Sequence, residues 1–371
     1  MTLYLHEQPG WPHFFFDRAA LAEPLAAVRH RQGWLLGRME TFGFEPRQEA
    51  TLHTLTADVL KTSEIEGEHL NPAQVRSSLA RRLGIDIGAL KPVDRDVEGI
   101  VEVTLDATGK FSEPLTAERL FAWHAALFPT ARSGMRRIRA GAWRDDSTGP
   151  MQVVSGQMGR ERVHYQAPPA ARLNAEMAAF LDWFNADNEA DWVLKAALAH
   201  LWFVSIHPFE DGNGRIARAI ADMALARSEQ SPQRFYSMSA QIRQERDDYY
   251  RILEQTQKAT LDVTAWMQWF LACLDRAIAA AEDSLKSVLS KTRFWERIGD
   301  FPLNARQRLV LNRLLDGFEG KLTTSKWAAL AKCSHDTALR DILPLIERGI
   351  LARSAQGGRS TSYELVGLRR F

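Results

Sequence analysis

His207-Pro208-Phe209-Glu210-Asp211-Gly212-Asn213-Gly214-Arg215-Ile216-Ala217-Arg218 places an imidazole, two carboxylates, two glycines, an amide and two arginines within twelve consecutive residues. Packing alone does not ask for that mixture. Upstream, Trp192 to Ile206 is apolar almost all round and rich in helix formers, which predicts a buried central helix. Pro208 disfavours the helical conformation for His207, so the chain is expected to turn there. Downstream, Arg215 to Arg227 again reads as helix, with Ile216, Ile220, Met223 and Ala224 on its apolar side. Gly212-Asn213-Gly214 therefore falls in a turn at a helix start, where free N–H groups and the positive helix end favour an anion. Glycines let the backbone approach phosphate oxygens, and arginines add charge-assisted hydrogen bonds. Asp211 suits a magnesium ion bridging phosphates. His207 suits removal of a proton from an attacking hydroxyl. Taken singly, the histidine reads as a helix cap, the Asp-Gly-Asn-Gly run as an ordinary turn and the arginines as solvated. Their joint occurrence behind a buried helix points instead to a cradle for a nucleotide polyphosphate, with a base attached.

The segment matches the Fic-domain signature, His-Pro-Phe-x-Asp/Glu-Gly-Asn-Gly-Arg-x-x-Arg, at every fixed position, and so resembles that family. Fic proteins typically transfer AMP from ATP to a Ser, Thr or Tyr hydroxyl of a protein. The resemblance implies that His207 is the catalytic base and Asp211 the magnesium ligand. It implies that Gly212, Asn213 and Gly214 form an anion hole, that Arg215 and Arg218 bind phosphate, and that Phe209 anchors the loop. Thr62-Ser63-Glu64-Ile65-Glu66-Gly67 fits the family's inhibitory pattern, Ser/Thr-x-x-x-Glu-Gly/Asn, at the end of a helix-like run from Glu49 to Lys61. By the same resemblance Glu66, framed by Thr62 and Gly67, pairs with Arg218 and takes the space of the ATP γ-phosphate. Because this motif precedes the loop, the chain resembles Fic proteins with an N-terminal inhibitory helix. Met151 to Gly156 and Arg162 to Tyr165 read as short strands around Gly156-Gln157-Met158-Gly159. They look like the Fic flap, a hairpin that holds the target segment by strand addition. Tyr250, in the helical stretch Arg246 to Tyr250, resembles a tyrosine that contacts the nucleotide base; core packing of Tyr249 and Tyr250 fits equally well.

A chain of 371 residues with 45% hydrophobic content can bury more than one core, and two or three domains are expected. Lys+Arg 47 against Asp+Glu 46 singles out no class of partner by global charge. Cys273 and Cys333 lie far apart and suggest buried thiols rather than a disulfide or a zinc site. Met1 to Trp11 lacks the basic start and apolar run of a signal peptide. No run approaches the roughly twenty apolar residues of a membrane span. The expectation is a cytoplasmic protein without a membrane partner.

Three parts are expected. Residues 1–95 open on the aromatic segment Trp11 to Phe16, taken as packing, and continue with two amphipathic helical stretches that include the inhibitory one. Residues 96–290 form the helical Fic core, extended by helices around Leu253 and from Trp266 to Leu289. Residues 300–371 form a small domain: helical Ala305 to Leu315, a hydroxyl-capped helix after Thr323, a second helix Asp336 to Arg348, and strands bracketing Gly357-Gly358-Arg359. That order resembles a winged helix-turn-helix. From Ala305 to Phe371 there are twelve Lys/Arg and six Asp/Glu, a balance of +6, which fits DNA phosphates. Asp336, Asp341 and Glu347 on the presumed second helix oppose that reading, and a protein-contact or dimerisation role fits as well.

The expected fold class is mainly α: a Fic helical core with a β-hairpin flap, an N-terminal helical extension and a C-terminal winged helix. The leading functional expectation is an autoinhibited protein adenylyltransferase. It would use ATP with magnesium, modify a Ser, Thr or Tyr hydroxyl of a protein target or of itself, and release pyrophosphate. Other readings are de-adenylylation or a different nucleotide or phosphate transfer on the same fold. A reading from another class is a DNA-binding regulator whose Fic core senses nucleotide. A homodimer is compatible with the sequence, although no motif specifies one.

Overall fold

The structure, a computed structural model, describes residues 3–366 apart from 88–89, 148, 157–159, 161, 187–190, 300, 316–317, 319 and 355–360. The chain forms two compact units, residues 1–281 and 282–371. The described residues are mainly helical, as expected, with short antiparallel strand pairs.

The first unit begins with α1 (Arg18–Glu40), α2 (Phe44–Ile65) and α3 (Pro72–Leu83). Three helices therefore stand where two amphipathic stretches were expected. α1 is hard to read because Pro24, Gly33 and Gly37 interrupt it and its buried seam is narrow: Leu21, Val28, Gln32, Leu35 and Met39. Asp17 and Asn71 cap α1 and α3 by accepting hydrogen bonds from the first free N–H groups. α4 (Arg95–Gly109) and α5 (Ala117–Leu127) follow. Gly99 lets them pack closely, since a Cβ there would overlap the Ala126 carbonyl.

Strands β1 (Arg132–Ser133) and β2 (Arg136–Arg137) make one small hairpin. β3 (Gln152–Ser155) and β4 (Arg162–Gln166) make the other, with a register shift between Val153 and Val154. This second pair is the hairpin read from the sequence; the turn residues Gln157, Met158 and Gly159 lie outside the described residues. α6 (Leu173–Asn185) leads to α7 (Trp192–Ile206), the buried helix predicted from its all-round apolarity. Three of its polar side chains find partners: Lys195 Nζ donates to the Ala186 carbonyl at 2.8 Å, His200 Nε2 lies 2.9 Å from the Tyr249 hydroxyl, and the Ser205 hydroxyl accepts from Gln257 at 3.1 Å. α8 (Asn213–Glu229) packs along α7 and is buried over most of its length. α9 (Met238–Gln244), α10 (Arg246–Gln257) and α11 (Thr264–Ile298) complete the helical body. The aromatic opening segment is packing in part, since Trp11 and Phe14 meet Trp202 edge-on at 6.3 and 5.6 Å, while Phe15 is exposed.

α11 crosses the division between the units and carries Phe294 into the core of the second. In the second unit α12 (Ala305–Leu315), β5 (Leu322–Thr323), α13 (Thr324–Ala331), α14 (His335–Glu347), β6 (Leu351–Arg353) and β7 (Ser362–Leu365) surround Trp327, Val310, Ile342 and Leu345. The sheet order is β5-β7-β6, and Thr323 caps α13 through its hydroxyl, as read from the sequence. The glycine-rich stretch Gly357 to Arg359 lies outside the described residues. Asp341, counted among the acids that would repel phosphate, is buried and accepts hydrogen bonds from Arg306 at 2.8 and 2.9 Å. Its charge is compensated internally, and of the three acids on α14 Asp336 and Glu347 are the exposed ones. Both cysteines are free thiols; Cys273 is buried, while Cys333 is only half-buried, contrary to expectation. Among the described residues no helix is long and apolar enough to cross a membrane.

Candidate active site

α7 ends at His207, whose backbone is left-handed at φ 51° and ψ 57°. Proline at 208 removes the option of continuing the helix, and the chain reverses within one residue. Such a conformation is strained for a residue with a Cβ and persists only where neighbours hold it. Arg144 does so. Its Nε donates to the His207 carbonyl at 2.8 Å and its backbone N–H to the Pro208 carbonyl at 2.9 Å. Its other nitrogens reach the Pro168 carbonyl at 2.5 Å and Asp146 at 3.0 Å.

Phe209 then plunges into the core and is fully buried, as the sequence suggested. His124 of α5 stacks on it face to face at 4.1 Å. The His124 ring accepts from the Gly141 N–H at Nδ1 (2.9 Å), so Nε2 carries the proton and donates to the Asp211 carbonyl at 3.2 Å. Burial lowers the His124 pKa to about 4, which keeps that tautomer neutral. Asn213 closes the loop: its Oδ1 accepts from the Phe209 N–H at 3.0 Å and its Nδ2 donates to the Phe209 carbonyl at 2.8 Å. The Asn213 side chain is thus a clip inside the loop, and only its backbone is left for an anion. Gly212 has φ 76°, and a Cβ there would lie 2.8 Å from the Phe128 ring, so glycine is required twice over.

The loop delivers Asn213, Gly214 and Arg215 as the first turn of α8, where backbone N–H groups lack helical acceptors. Arg215 and Arg218 are both buried. Arg218 Nε donates to the Thr62 hydroxyl at 2.7 Å, and its Nη2 to the Thr62 carbonyl at 3.0 Å and Glu66 Oε1 at 2.7 Å. Arg215 Nη1 donates to Glu68 Oε2 at 2.6 Å, and its guanidinium lies over the Phe128 ring. Among the described residues, Arg215 Nε and Arg218 Nη1 find no acceptor. Two buried cations with unused donors beside a helix N-terminus make a seat for an anion.

The chain's own carboxylate stands on that seat. A Cβ on Gly214 would overlap the Glu66 carboxylate, so Glu66 lies directly against the loop backbone. Thr62 and Glu66 share one face of α2 by their spacing of four, which explains how one helix end supplies both partners of Arg218. Gly67 stops the helix at φ 86°, with the Glu68 N–H returning to the Ser63 carbonyl at 3.0 Å. Arg246 of α10 holds the same helix end by donating to the Ile65 carbonyl at 2.9 Å. Burial opposes the Arg218 charge, yet Glu66 and nearby tyrosines leave its pKa raised.

His207 is half-buried. Burial pushes its pKa down to about 4, and the Arg144 charge adds to that. Its Nδ1 lies 3.2 Å from the Val204 carbonyl. Nδ1 therefore carries the proton, and Nε2 keeps a lone pair free to accept one. Asp211 is half-buried and accepts from the Gly212 N–H at 2.6 Å and from the Ser133 hydroxyl. Beyond the loop, a cleft of about 920 Å³ opens between β3–β4 and α10, lined by Val153, His164, Tyr250, Leu253 and Glu254 among others. Tyr250 and Arg246 both line it, with the Arg246 guanidinium 5.0 Å from the Tyr250 ring; because Arg246 also donates to the Ile65 carbonyl next to Glu66, the cleft adjoins the anion seat. Tyr249 is core, as its hydrogen bond to His200 shows.

The structure thus brings His207, Asp211, Gly212, Asn213, Gly214, Arg215, Arg218, Thr62, Glu66 and Gly67 into one neighbourhood, with Tyr250 at its border. Sequence reasoning missed Arg144, His124, Arg246 and Glu68. The first three act on partners 63, 87 and 181 positions away, and no local pattern marks them. Glu68 stood two residues from a motif already read, and that proximity was the available signal.

Residues 114–225 match the Fic/DOC family, and residues 4–85 match a domain of unknown function, DUF4172. A protein adenylyltransferase Fic of Nematostella vectensis is 37% identical over 123 residues, which is 32% of this chain and 26% of that protein. One of Drosophila mojavensis is 25% identical over 219 residues, 58% of this chain and 38% of that protein. The chain spans between a quarter and two fifths of the length of these curated relatives. Among solved structures, a Fic family protein from Desulfovibrio desulfuricans G20 aligns over 98% of this chain and 100% of its own, with TM-score 0.53 at 21% identity. A Fic domain containing signaling protein from Bacteroides thetaiotaomicron VPI-5482 covers 72% of this chain and 97% of its own, with TM-score 0.51 at 19% identity. At such identities these two show the fold. The loop at the start of α8 lies within residues 114–225, the part of the chain that matches the Fic/DOC family.

Proposed function

We propose that this chain is an autoinhibited protein adenylyltransferase, which transfers AMP from ATP to a Ser, Thr or Tyr hydroxyl of a protein. The observation that carries the reading is the anion seat at the start of α8, beside the neutral His207 and occupied by Glu66. His207 Nε2 takes the proton of the incoming hydroxyl, for which a neutral imidazole is the competent form. The hydroxyl oxygen bonds to the α-phosphorus, and the bond toward the β-phosphate breaks with release of pyrophosphate. The N–H groups of Gly212, Asn213 and Gly214, with Arg215 and Arg218, stabilise charge on the phosphates. Tyr250 and Leu253 border the space for the base.

Asp211 fits a magnesium ion: a single carboxylate with spare lone pairs is what such an ion takes when phosphates supply other ligands. Among the described residues no cluster of three or more ligating side chains is present, so Asp211 and the substrate would have to hold it together. When bound, the ion neutralises phosphate charge. β3 has one strand neighbour among the described residues, which leaves its other edge for a target segment to add to. Residues 1–95 act as the inhibitory part and 96–290 as the catalytic core. Residues 300–371, with the +6 balance of Ala305 to Phe371, are read as a winged helix for DNA or a protein partner.

Incubation with α-labelled ATP and a host lysate tests the assignment. Label on protein should rise in Glu66→Gly and vanish in His207→Ala. Absence of label on every protein, even with Glu66→Gly, would overturn it. A second reading, de-adenylylation, is favoured by Glu66 lying beside the seat; it predicts AMP release from a modified target that is lost in Glu66→Gly.

A further inference from the structure

The hairpin β3–β4 carries a second set of reactive groups that the chemistry above leaves unused. Ser155 Oγ lies 2.5 Å from His164 Nε2, and His164 Nδ1 lies 2.7 Å from Glu254 Oε2 on α10. The other Glu254 oxygen accepts from Arg162 at 3.0 Å and from Lys258 at 2.6 Å. Partial burial works against the Glu254 charge, but hydrogen bonds from Lys258, His164 and Arg162 hold its pKa down at about 2. Glu254 is therefore an acceptor, which makes Nδ1 the protonated nitrogen of His164 and leaves the Nε2 lone pair facing the serine hydroxyl. Nucleophile, base and orienting carboxylate stand in sequence within hydrogen-bond reach, the arrangement that activates hydroxyls on unrelated folds.

Regular strand pairing would not produce this contact. Ser155 stands opposite Arg162 and Val154 opposite Val163, while Val153 stands opposite Tyr165. His164 is thus the extra residue of a β-bulge, and bulges re-aim side chains next to functional sites. Ser155 is exposed, and Ser155, His164 and Glu254 all line the cleft that Tyr250 borders.

We propose that Ser155 is an activated nucleophile and the chain's own acceptor for a nucleotidyl group from a nucleoside triphosphate held in that cleft. The acceptor role rests on the transferase reading above; the activation does not. The Ser155 Oγ–phosphorus bond forms at the α-phosphate, and the bond to the oxygen bridging toward the β-phosphate breaks. The electron pair leaves with pyrophosphate, and the serine proton passes to His164 Nε2. Glu254 stabilises the resulting imidazolium.

Two arms on the full chain test this. In the first, a fluorophosphonate is the probe: Ser155 Oγ displaces fluoride from phosphorus, independently of any nucleotide site. Peptide mapping should place the phosphonyl group on Ser155, at a rate reduced about 100-fold in His164→Gln, the scale of general-base assistance. Equal rates in the two proteins overturn the activation. In the second arm, Glu66→Gly protein is given ATP and magnesium and mapped by mass spectrometry. AMP is expected on Ser155, absent in Ser155→Ala and strongly reduced in His164→Gln. AMP on other residues but never on Ser155 overturns the acceptor role and leaves the transferase reading standing. No AMP on any protein, lysate included, and no pyrophosphate release overturns both.

Discussion

Replacing Glu66 with glycine removes the one carboxylate that meets both Arg218 and the loop backbone. Arg218 Nη2 and Glu66 Oε1 are 2.7 Å apart, with the arginine side chain only 3% exposed and the glutamate 30%. At an effective dielectric of 20, unit charges at such range attract by roughly 4 kcal/mol or more before desolvation is counted. After desolvation, a hydrogen bond to a charged group nets about 1.5–3 kcal/mol. An anion must displace Glu66 before it can settle on Gly214 and Arg218, so it meets that cost in full. Glu66→Gly is therefore expected to tighten ATP binding by about 10- to 100-fold, since about 1.4 kcal/mol is a factor of ten. Arg218 stays placed in the variant, because Thr62 still accepts from it at 2.7 and 3.0 Å. Glu66→Gln, which keeps the shape and loses the charge, should fall between the two. Isothermal titration with ATP and magnesium measures the affinities, and pyrophosphate release reports turnover in parallel. Affinities within about twofold across the three proteins would refute the idea that Glu66 occupies the anion seat.

Further outcomes follow from the same contacts. In the Glu66→Gly background the acid limb of the pH–rate profile should lie near pH 4, because burial holds the His207 imidazole neutral down to there. Rate is retained as pH falls through 6.5 and lost as the base takes up its proton; a limb centred at 6.5 would contradict that environment. Asn213→Ala should destabilise the first unit by about 2–4 kcal/mol in urea denaturation, because it strands the buried N–H and carbonyl of Phe209. A loss below about 0.5 kcal/mol would show that the clip is dispensable. Glu68→Gln should change ATP affinity by less than about fivefold, since its pair with Arg215 is half exposed and such pairs net at most about 1 kcal/mol. An effect equal to that of Glu66→Gly would mean that both carboxylates share the inhibitory role.

Much of this geometry was legible before any coordinates. The all-round apolarity of Trp192 to Ile206 fixed α7, and the change of pattern after Pro208 fixed the turn and the start of α8. The motif Thr62 to Gly67 was read at the end of a helix-like run, and the structure has α2 end there with Glu66 as its cap residue. Harder to read was α1, because Pro24, Gly33 and Gly37 weaken the periodic signal that tertiary packing restores along a narrow seam. Asp341 was misjudged for a related reason: the partner that compensates its charge, Arg306, stands 35 positions away.

Two contiguous motifs, His207 to Arg218 and Thr62 to Gly67, marked the loop, its glycines, its arginines and the acid expected to meet them, while the meeting of Glu66 with Arg218 across 152 positions belongs to the fold. What holds the loop in shape was decided only by the fold. Arg144 fixes the left-handed turn at His207, His124 carries Asp211 and stacks on Phe209, and Arg246 pins the end of α2. A buried hydrogen bond is set by which helices meet and by how little water remains between them, and neither quantity is carried by any single stretch of sequence.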